Sequence, residues 1–150
     1  MGKSTNTTAE FRSLCPVATG LDILGDKWTL LILRDMIWGH KCLFSEFKES
    51  PEHMPSKMLS NRLKKLEELG FIFKKVGLAN KKSVYYFMEE KGIDAFPIMI
   101  EMAIFTSKHF FDYLGSTYTK EARVIMIKNK KEYIADLVKQ YKRFKKDVTI

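Results

Sequence analysis

Residues Leu43–Met88 read LFSEFKESPEHMPSKMLSNRLKKLEELGFIFKKVGLANKKSVYYFM. In the middle of this stretch, from Ser56 to Leu69, Leu59, Leu63, Leu66 and Leu69 recur at steps of four, three and three. That spacing draws one apolar stripe along a helix. The other faces carry Lys57, Ser60, Asn61, Lys64 and Lys65, with no acid before Glu67. Upstream, Leu43 to Lys48 reads as a short helix with Phe44 and Phe47 on one face, and Ser50-Pro51 breaks it. Downstream, Gly70 stands where a glycine commonly ends a helix. Phe71 to Val76 and Ser83 to Met88 are rich in aromatic and branched residues, so both read as strands. The linker GLANKK, residues 77–82, is too long for a two-residue hairpin turn and is expected to project as a loop. The predicted order is helix, turn, amphipathic helix and two-stranded wing.

Outward from this unit the chain is mainly helical. Residues 1–13 read as a flexible tail. A helix is expected from Pro16 through Val17, Leu21 and Leu24 to about Gly25, since proline is tolerated in a first turn. A second, Lys27 to Trp38, holds TLLILRDMI; it is apolar nearly all round and belongs at the centre of a core. Gly39 ends it. After Gly92 a long helix is predicted from Ile93 to Leu114, kinked at Pro97 unless that residue falls in the first turn or two. Gly115-Ser116 makes a break. A last helix, Lys120 to Lys146, carries Ile127, Ile134, Leu137, Val138, Tyr141 and Phe144. The fold class is therefore mainly α with a small β-wing.

The 150 residues suit one compact unit, and 45% hydrophobic with 13% aromatic residues can supply a core. No apolar run is long enough for a membrane span. The polar opening MGKSTNTTAEFRS does not read as an export signal, and Asn6 stands where a myristoylation motif wants a hydroxyl. Cys15 and Cys42 cannot make a disulfide scaffold, and a reducing cytoplasmic setting is expected. The net charge of +8 is unevenly placed. Residues 1–53 have six basic and seven acidic side chains, for −1, and residues 54–88 have eight and two, for +6. Residues 89–118 have two and five, for −3, and residues 119–150 have ten and four, for +6. A polyanionic partner fits, although half of the basic excess lies outside the proposed unit.

At this point the chain resembles the HxlR-type winged helix-turn-helix transcription regulators, relatives of the MarR group. The resemblance spans about Cys15 to Phe111. It rests on Cys15-Pro16, the run Gly25 to Arg34 (GDKWTLLILR), Phe44 with Glu46-Phe47, Lys57 to Ser60 with Arg62-Leu63, Leu66-Glu67, Gly70, Tyr86 and Glu90-Lys91-Gly92. It implies a bacterial or archaeal DNA-binding homodimer, a winged helix-turn-helix with long C-terminal dimerisation helices. The first and late helices would form the dimer interface. The expected organisation is a tail (1–13), a DNA-binding unit with dimerisation helices (14–114) and a helical extension (115–150). Several positions depart from the family pattern. Pro55 stands where a serine is usual, so the start-of-helix cap is lost or moved to Ser56. Lys81, Lys82 and Ser83 replace the usual proline and arginine of the wing, which favours point-charge contacts over a planar fork. Glu89 stands where a threonine is common.

A helix fits the major groove, where each base pair shows its own donor and acceptor pattern. The candidate contacts on the recognition helix are Ser56, Lys57, Ser60, Asn61, Arg62, Lys64 and Lys65, of which Arg62, flanked by the leucine stripe, is expected to point to the domain edge and a phosphate. Asn61 could pair with adenine and Lys57 could donate to guanine. Asn80, Lys81 and Lys82 of the wing could reach a neighbouring minor groove or its phosphates. The bland alternative is an amphipathic helix whose solvated face happens to be basic. Trp28 and Trp38 read as core before ligand box, and Tyr85, Tyr86 and Phe87 as a strand with one packed face. Phe105, Phe110, Phe111 and Tyr113 read as dimer or core residues, with an effector pocket as the minority reading.

Cys15 begins a helix, a position that favours a thiolate. Some members of the family sense oxidants or electrophiles through a cysteine there; the plain alternative is a packed hydrophobe. Cys42 could be its partner across a dimer. His40, His53 and His109 show no metal-ligand spacing, and no phosphate-binding Gly-rich loop or nucleophile set stands out, so an enzyme, a metal or a cofactor is not expected. The basic end KQYKRFKK (139–146) could cover the dimer seam, add phosphate contacts, or meet a partner protein or an anionic membrane surface. The resulting expectation is a dimeric, sequence-specific regulator of transcription, a repressor on a pseudo-palindromic operator, controlled by thiol oxidation or a small ligand. The alternative is a non-enzymatic interaction module working through its C-terminal helix.

Overall fold

The computed structural model describes residues 11–77, 80–115 and 119–149. Helices α1 (Pro16–Leu24), α2 (Thr29–Ile37), α3 (Phe44–Lys48) and α4 (Ser56–Glu68) lead into strands β1 (Ile72–Val76) and β2 (Val84–Met88). Helices α5 (Glu90–Asp94) and α6 (Phe96–His109), a 3-10 turn (Phe111–Tyr113), α7 (Lys120–Lys128) and α8 (Lys130–Thr149) follow. The two strands pair antiparallel, Ile72 opposite Met88 and Val76 opposite Val84. Leu43 adds an isolated antiparallel bridge to Tyr85 on the free edge of β2.

The core forms around α2, where Ile32, Leu33, Met36 and Ile37 are buried. Leu59, Leu63 and Leu66 of α4 pack into the same cluster with Phe47, Ile72, Met88, Phe96 and Ile100. Trp28 and Trp38 are half-buried against this core. Trp38 sits edge-on to Phe96 and donates its indole N–H to the Tyr133 hydroxyl at 3.1 Å. Helix α2 starts at Thr29, two residues later than expected. The Asp26 carboxylate accepts the Trp28 and Thr29 N–H groups at 3.0 Å each and makes residues 26–28 a turn. Gly70 ends α4 with φ +74, a left-handed conformation suited to glycine.

Two expected helices are broken. The long helix from Ile93 to Leu114 is instead α5, α6 and the 3-10 turn, and it begins earlier, at Glu90. Gly92 of α5 lies against the end of the α4–β1 corner. A Cβ there would meet the Phe71 carbonyl oxygen at 2.4 Å, so the close approach excludes a side chain. Pro97 stands in the first turn of α6, where its missing N–H has no partner to lose. The last helix divides at Asn129 (φ −118, ψ 36) into α7 and α8.

Helix α8 folds back over α2 and reaches the wing. Tyr141 is fully buried, and its hydroxyl accepts the Met88 N–H at 2.8 Å. Lys145 donates to the Met88 carbonyl at 2.9 Å and lies over the Phe73 ring. The outer face of the hairpin, where Phe87 stacks near Phe73 and Tyr85, is thus braced by the end of α8. Among the described residues no helix is long and apolar enough to cross a membrane, and no group of His, Cys, Asp and Glu is placed to hold a metal ion.

Candidate nucleic-acid interface

The leucine stripe decides which way α4 faces. With Leu59, Leu63 and Leu66 buried, Ser56, Lys57, Ser60, Asn61 and Lys64 are left exposed on the opposite arc. These five residues form one outward face beginning at the helix N-terminus. Pro55 is the N-cap residue and no side chain caps the helix, so the usual serine cap is absent. The first-turn N–H groups are therefore not capped by a side chain, and a helix N-terminus favours an anion. Lys64 meets Glu68, loosely, at 3.8 Å.

Arg62 and Lys65 lie elsewhere. They sit on the flank turned toward the α1–α2 corner, and both are half-buried. Arg62 Nε stands 3.4 Å from Asp26 Oδ1, a charge contact without hydrogen-bond geometry. Lys65 donates to the Asp22 carbonyl at 3.2 Å. Burial pushes the Asp26 carboxyl up. Hydrogen bonds from the Thr29 hydroxyl and the Trp28 and Thr29 amides, with the charge of Arg62, outweigh that and hold it below its ordinary range. These two cations tie α4 to the end of α1 and to the turn into α2.

The turn between α3 and α4 is fixed by a polar cluster. The buried Asp35 accepts from Ser50 Oγ, from Lys41 Nζ at 3.0 Å and from Arg34. Arg34 also forks onto Glu52, with Nη2 2.9 Å from Oε2. That hydrogen bond holds the Glu52 carboxyl below its usual range, and the same pair raises the Arg34 guanidinium further above its own. Lys48 donates to the Met54 carbonyl at 2.6 Å. Sequence reasoning missed this cluster, and the signal for it was present. An acid inside the apolar run TLLILRDMI must find partners, because an unpaired buried charge is costly. Helix α3 is closed similarly by Glu46, which accepts the Cys42 and Leu43 N–H groups at 2.7 and 2.8 Å.

In the wing, Asn80, Lys81 and Lys82 are all exposed. The Asn80 side-chain oxygen accepts the Lys82 N–H at 3.0 Å, so Asn80 shapes the turn. Leu78 and Ala79 lie outside the described residues.

Cys15 is exposed at the N-cap of α1. Cys42 is buried, and burial, with Glu46 beside it, pushes its thiol up to about 11. Its burial speaks against the pairing with Cys15 across a dimer.

A second face is apolar. Leu14, Val17 and Leu21 on and before α1, and Ile98, Met102 and Phe105 on α6, are exposed at helical spacing. A cavity of about 600 Å³ runs between them, lined by Val17, Leu21, Leu24, Leu30, Ile98 and Met102. Phe110 and Tyr113 continue the exposed aromatic surface, while Phe111 is half-buried.

The HxlR-like helix-turn-helix family matches residues 23–112. The HTH-type transcriptional regulator YdeP of Bacillus subtilis (strain 168) is 34% identical over 95 residues, covering 63% of this chain and 73% of YdeP. The crystal structure of PA1607, a candidate transcription factor, superposes with a TM-score of 0.61 at 28% identity over 75% of each chain. The redox regulator HypR in its oxidized form does so with a TM-score of 0.56 at 28% identity, over 63% of this chain and 97% of HypR. A helix backed by leucines, a two-stranded wing and this match across most of the chain lead to one assignment: the protein belongs to the HxlR-like helix-turn-helix family of transcription regulators, and its fold is a winged helix-turn-helix.

Proposed function

We propose that two copies of this chain bind one duplex, each laying the Ser56–Lys57–Ser60–Asn61–Lys64 face of α4 in a major groove, and that the complex represses transcription by occupying a promoter. The observation that carries the reading is the segregation on α4. Every residue on the outward arc of its first two turns can donate a hydrogen bond, and three buried leucines hold that arc outward. Arg62 and Lys65 set the pose of the helix. Lys81 and Lys82 add phosphate contacts beside it. The apolar surface of α1 and α6 is the seam of the pair. An exposed patch of this kind marks an interaction site, and a two-fold axis there makes the operator pseudo-palindromic, with half-sites about one helical turn or a multiple apart. The test is selection of bound duplexes from a random pool at two salt concentrations. A two-fold-symmetric consensus with strong salt dependence is expected. Equal retention of all sequences overturns the reading.

The exposure of Cys15, with Cys42 buried, supports a thiol switch carried by one residue. Two Cys15 thiols from different chains, or one Cys15 and a small thiol, would lose two protons and two electrons to an oxidant and form a disulfide. Diamide, which is reduced to the hydrazine, serves as that oxidant in the test. Duplex affinity of the wild type should change at least threefold on treatment, and that of Cys15→Ser should not. Equal responses remove the switch.

A further inference from the structure

Helices α7 and α8 lie outside the segment 23–112 that matches the family. They fold back onto α2 and α6, with Met126 and Tyr141 buried in the shared core. Beside these contacts lies an open groove of about 690 Å³, walled by Trp38, Ala103, Ala122, Ile125, Met126 and Tyr133, with Arg34, Asp35 and Pro51 at one end. Its size falls within the range of small-molecule sites. Two of its walls are alanines, one on α6 and one on α7, which is what keeps the space open.

We infer that this groove is a binding site for a small, uncharged aromatic molecule carrying one hydrogen-bond acceptor, and that its occupancy changes duplex affinity. The chemistry follows from the wall. Its apolar part is aromatic on one side, from Trp38 and Tyr133. The polar atoms at its end are already matched: Arg34 donates to Asp35 and Glu52, and Lys41 and Ser50 donate to Asp35. A charged ligand would find no uncompensated counter-ion and would lose its hydration. The Tyr133 hydroxyl accepts from the Trp38 indole N–H, which leaves its own hydrogen to donate to a carbonyl-like acceptor. The route to DNA is short. Pro51 lines the groove and lies in the turn into α4, and the next residue, Glu52, is gripped by Arg34, which also lines the groove. A ligand that displaces Arg34 or Pro51 shifts the turn that aims the recognition helix. The control step rests on the DNA-binding reading above; the binding step does not.

The probe is 2-acetylnaphthalene, with 2-naphthoate as its charged counterpart, added to the full-length protein and followed by calorimetry and Trp38 fluorescence. Saturable binding of one 2-acetylnaphthalene per chain is expected, with 2-naphthoate at least tenfold weaker. Ala122→Phe, which fills the space, should weaken the ketone at least tenfold. Ala103→Leu does so independently if the first variant misfolds. Tyr133→Phe should weaken the ketone several-fold while circular dichroism stays unchanged. No saturable uptake, uptake unaffected by Ala122→Phe and Ala103→Leu, or tighter binding of 2-naphthoate overturns the site. Uptake by dilute monomer alone overturns it in favour of a second copy as occupant. With DNA selected as above, bound probe should alter duplex affinity at least threefold; binding without that change overturns the control step alone. Failure to bind any duplex leaves the calorimetry standing and strikes only the DNA reading.

Discussion

Asn61 stands on the exposed arc of α4 one turn past its start, with an amide that can fork onto adenine. Asn61→Ala should remove about 1–3 kcal/mol of discrimination at one position in each half-site and leave the others alone. Repeating the duplex selection with the variant checks this, and an unchanged consensus would show that Asn61 reads no base. Asp26 acts at the same scale but through structure. Its folded pKa is depressed, so its contribution to stability is present above the ordinary carboxylate range and is lost as pH falls through the depressed value. Asp26→Asn keeps an acceptor but removes the charge, so it should cost about 1 kcal/mol at pH 7, the difference between a charge-assisted and a neutral hydrogen bond, and the cost should shrink toward pH 2. Urea midpoints at several pH values measure it; a cost that does not vary with pH would assign the whole effect to hydrogen-bond geometry. Sequence periodicity separated the leucines from the polar residues of α4. It set Arg62 at the domain edge beside the leucine stripe, but it could not give Arg62 and Lys65 their partners, because Asp26 and Asp22 belong to another corner of the chain.

At the scale of elements, the recognition helix, both strands and the first helix were readable because each carries its own period and its own stop. The breaks at Ala95 and Asn129 were not. Neither residue is a strong helix breaker in the sequence, and both breaks arise where the chain turns to pack: Gly92 presses on the Phe71 carbonyl, and α8 swings back across α2. The brace from α8 to the wing was equally hidden, since Tyr141 and Met88 are far apart in the chain and only the fold joins them. Tyr141→Phe keeps the ring and deletes the acceptor of a buried N–H. That should destabilise the protein by about 1–3 kcal/mol, the penalty for an unsatisfied buried group. Hydrogen exchange at the Met88 amide should rise more than exchange on α4. Uniform loosening of the whole chain would mean that α8 contributes general stability and does not brace the wing.

For the whole molecule, the proposed pairing makes affinity depend on two recognition helices acting together. Joining two half-site contacts raises avidity by about 10²–10⁴-fold without any new contact to DNA, provided the spacing fits. The seam that would supply the joining is the apolar surface of α1 and α6, where Met102 is 53% exposed in the single chain and lines the cavity beside Val17 and Leu21. A carboxylate placed there costs the monomer little, because water still reaches it. Buried in a two-fold seam it would meet its own copy, and like charges brought together out of water are strongly disfavoured. Met102→Glu should therefore sediment as a monomer at micromolar concentration with unchanged helicity. Its affinity for a two-half-site duplex should fall by about 10²–10⁴-fold, while affinity for a single half-site stays within a few-fold. The comparison of the two duplexes carries the argument, since a misfolded chain would lose both. A variant that remains dimeric and grips the full site as before would move the seam off α6, and with it the predicted spacing of the half-sites.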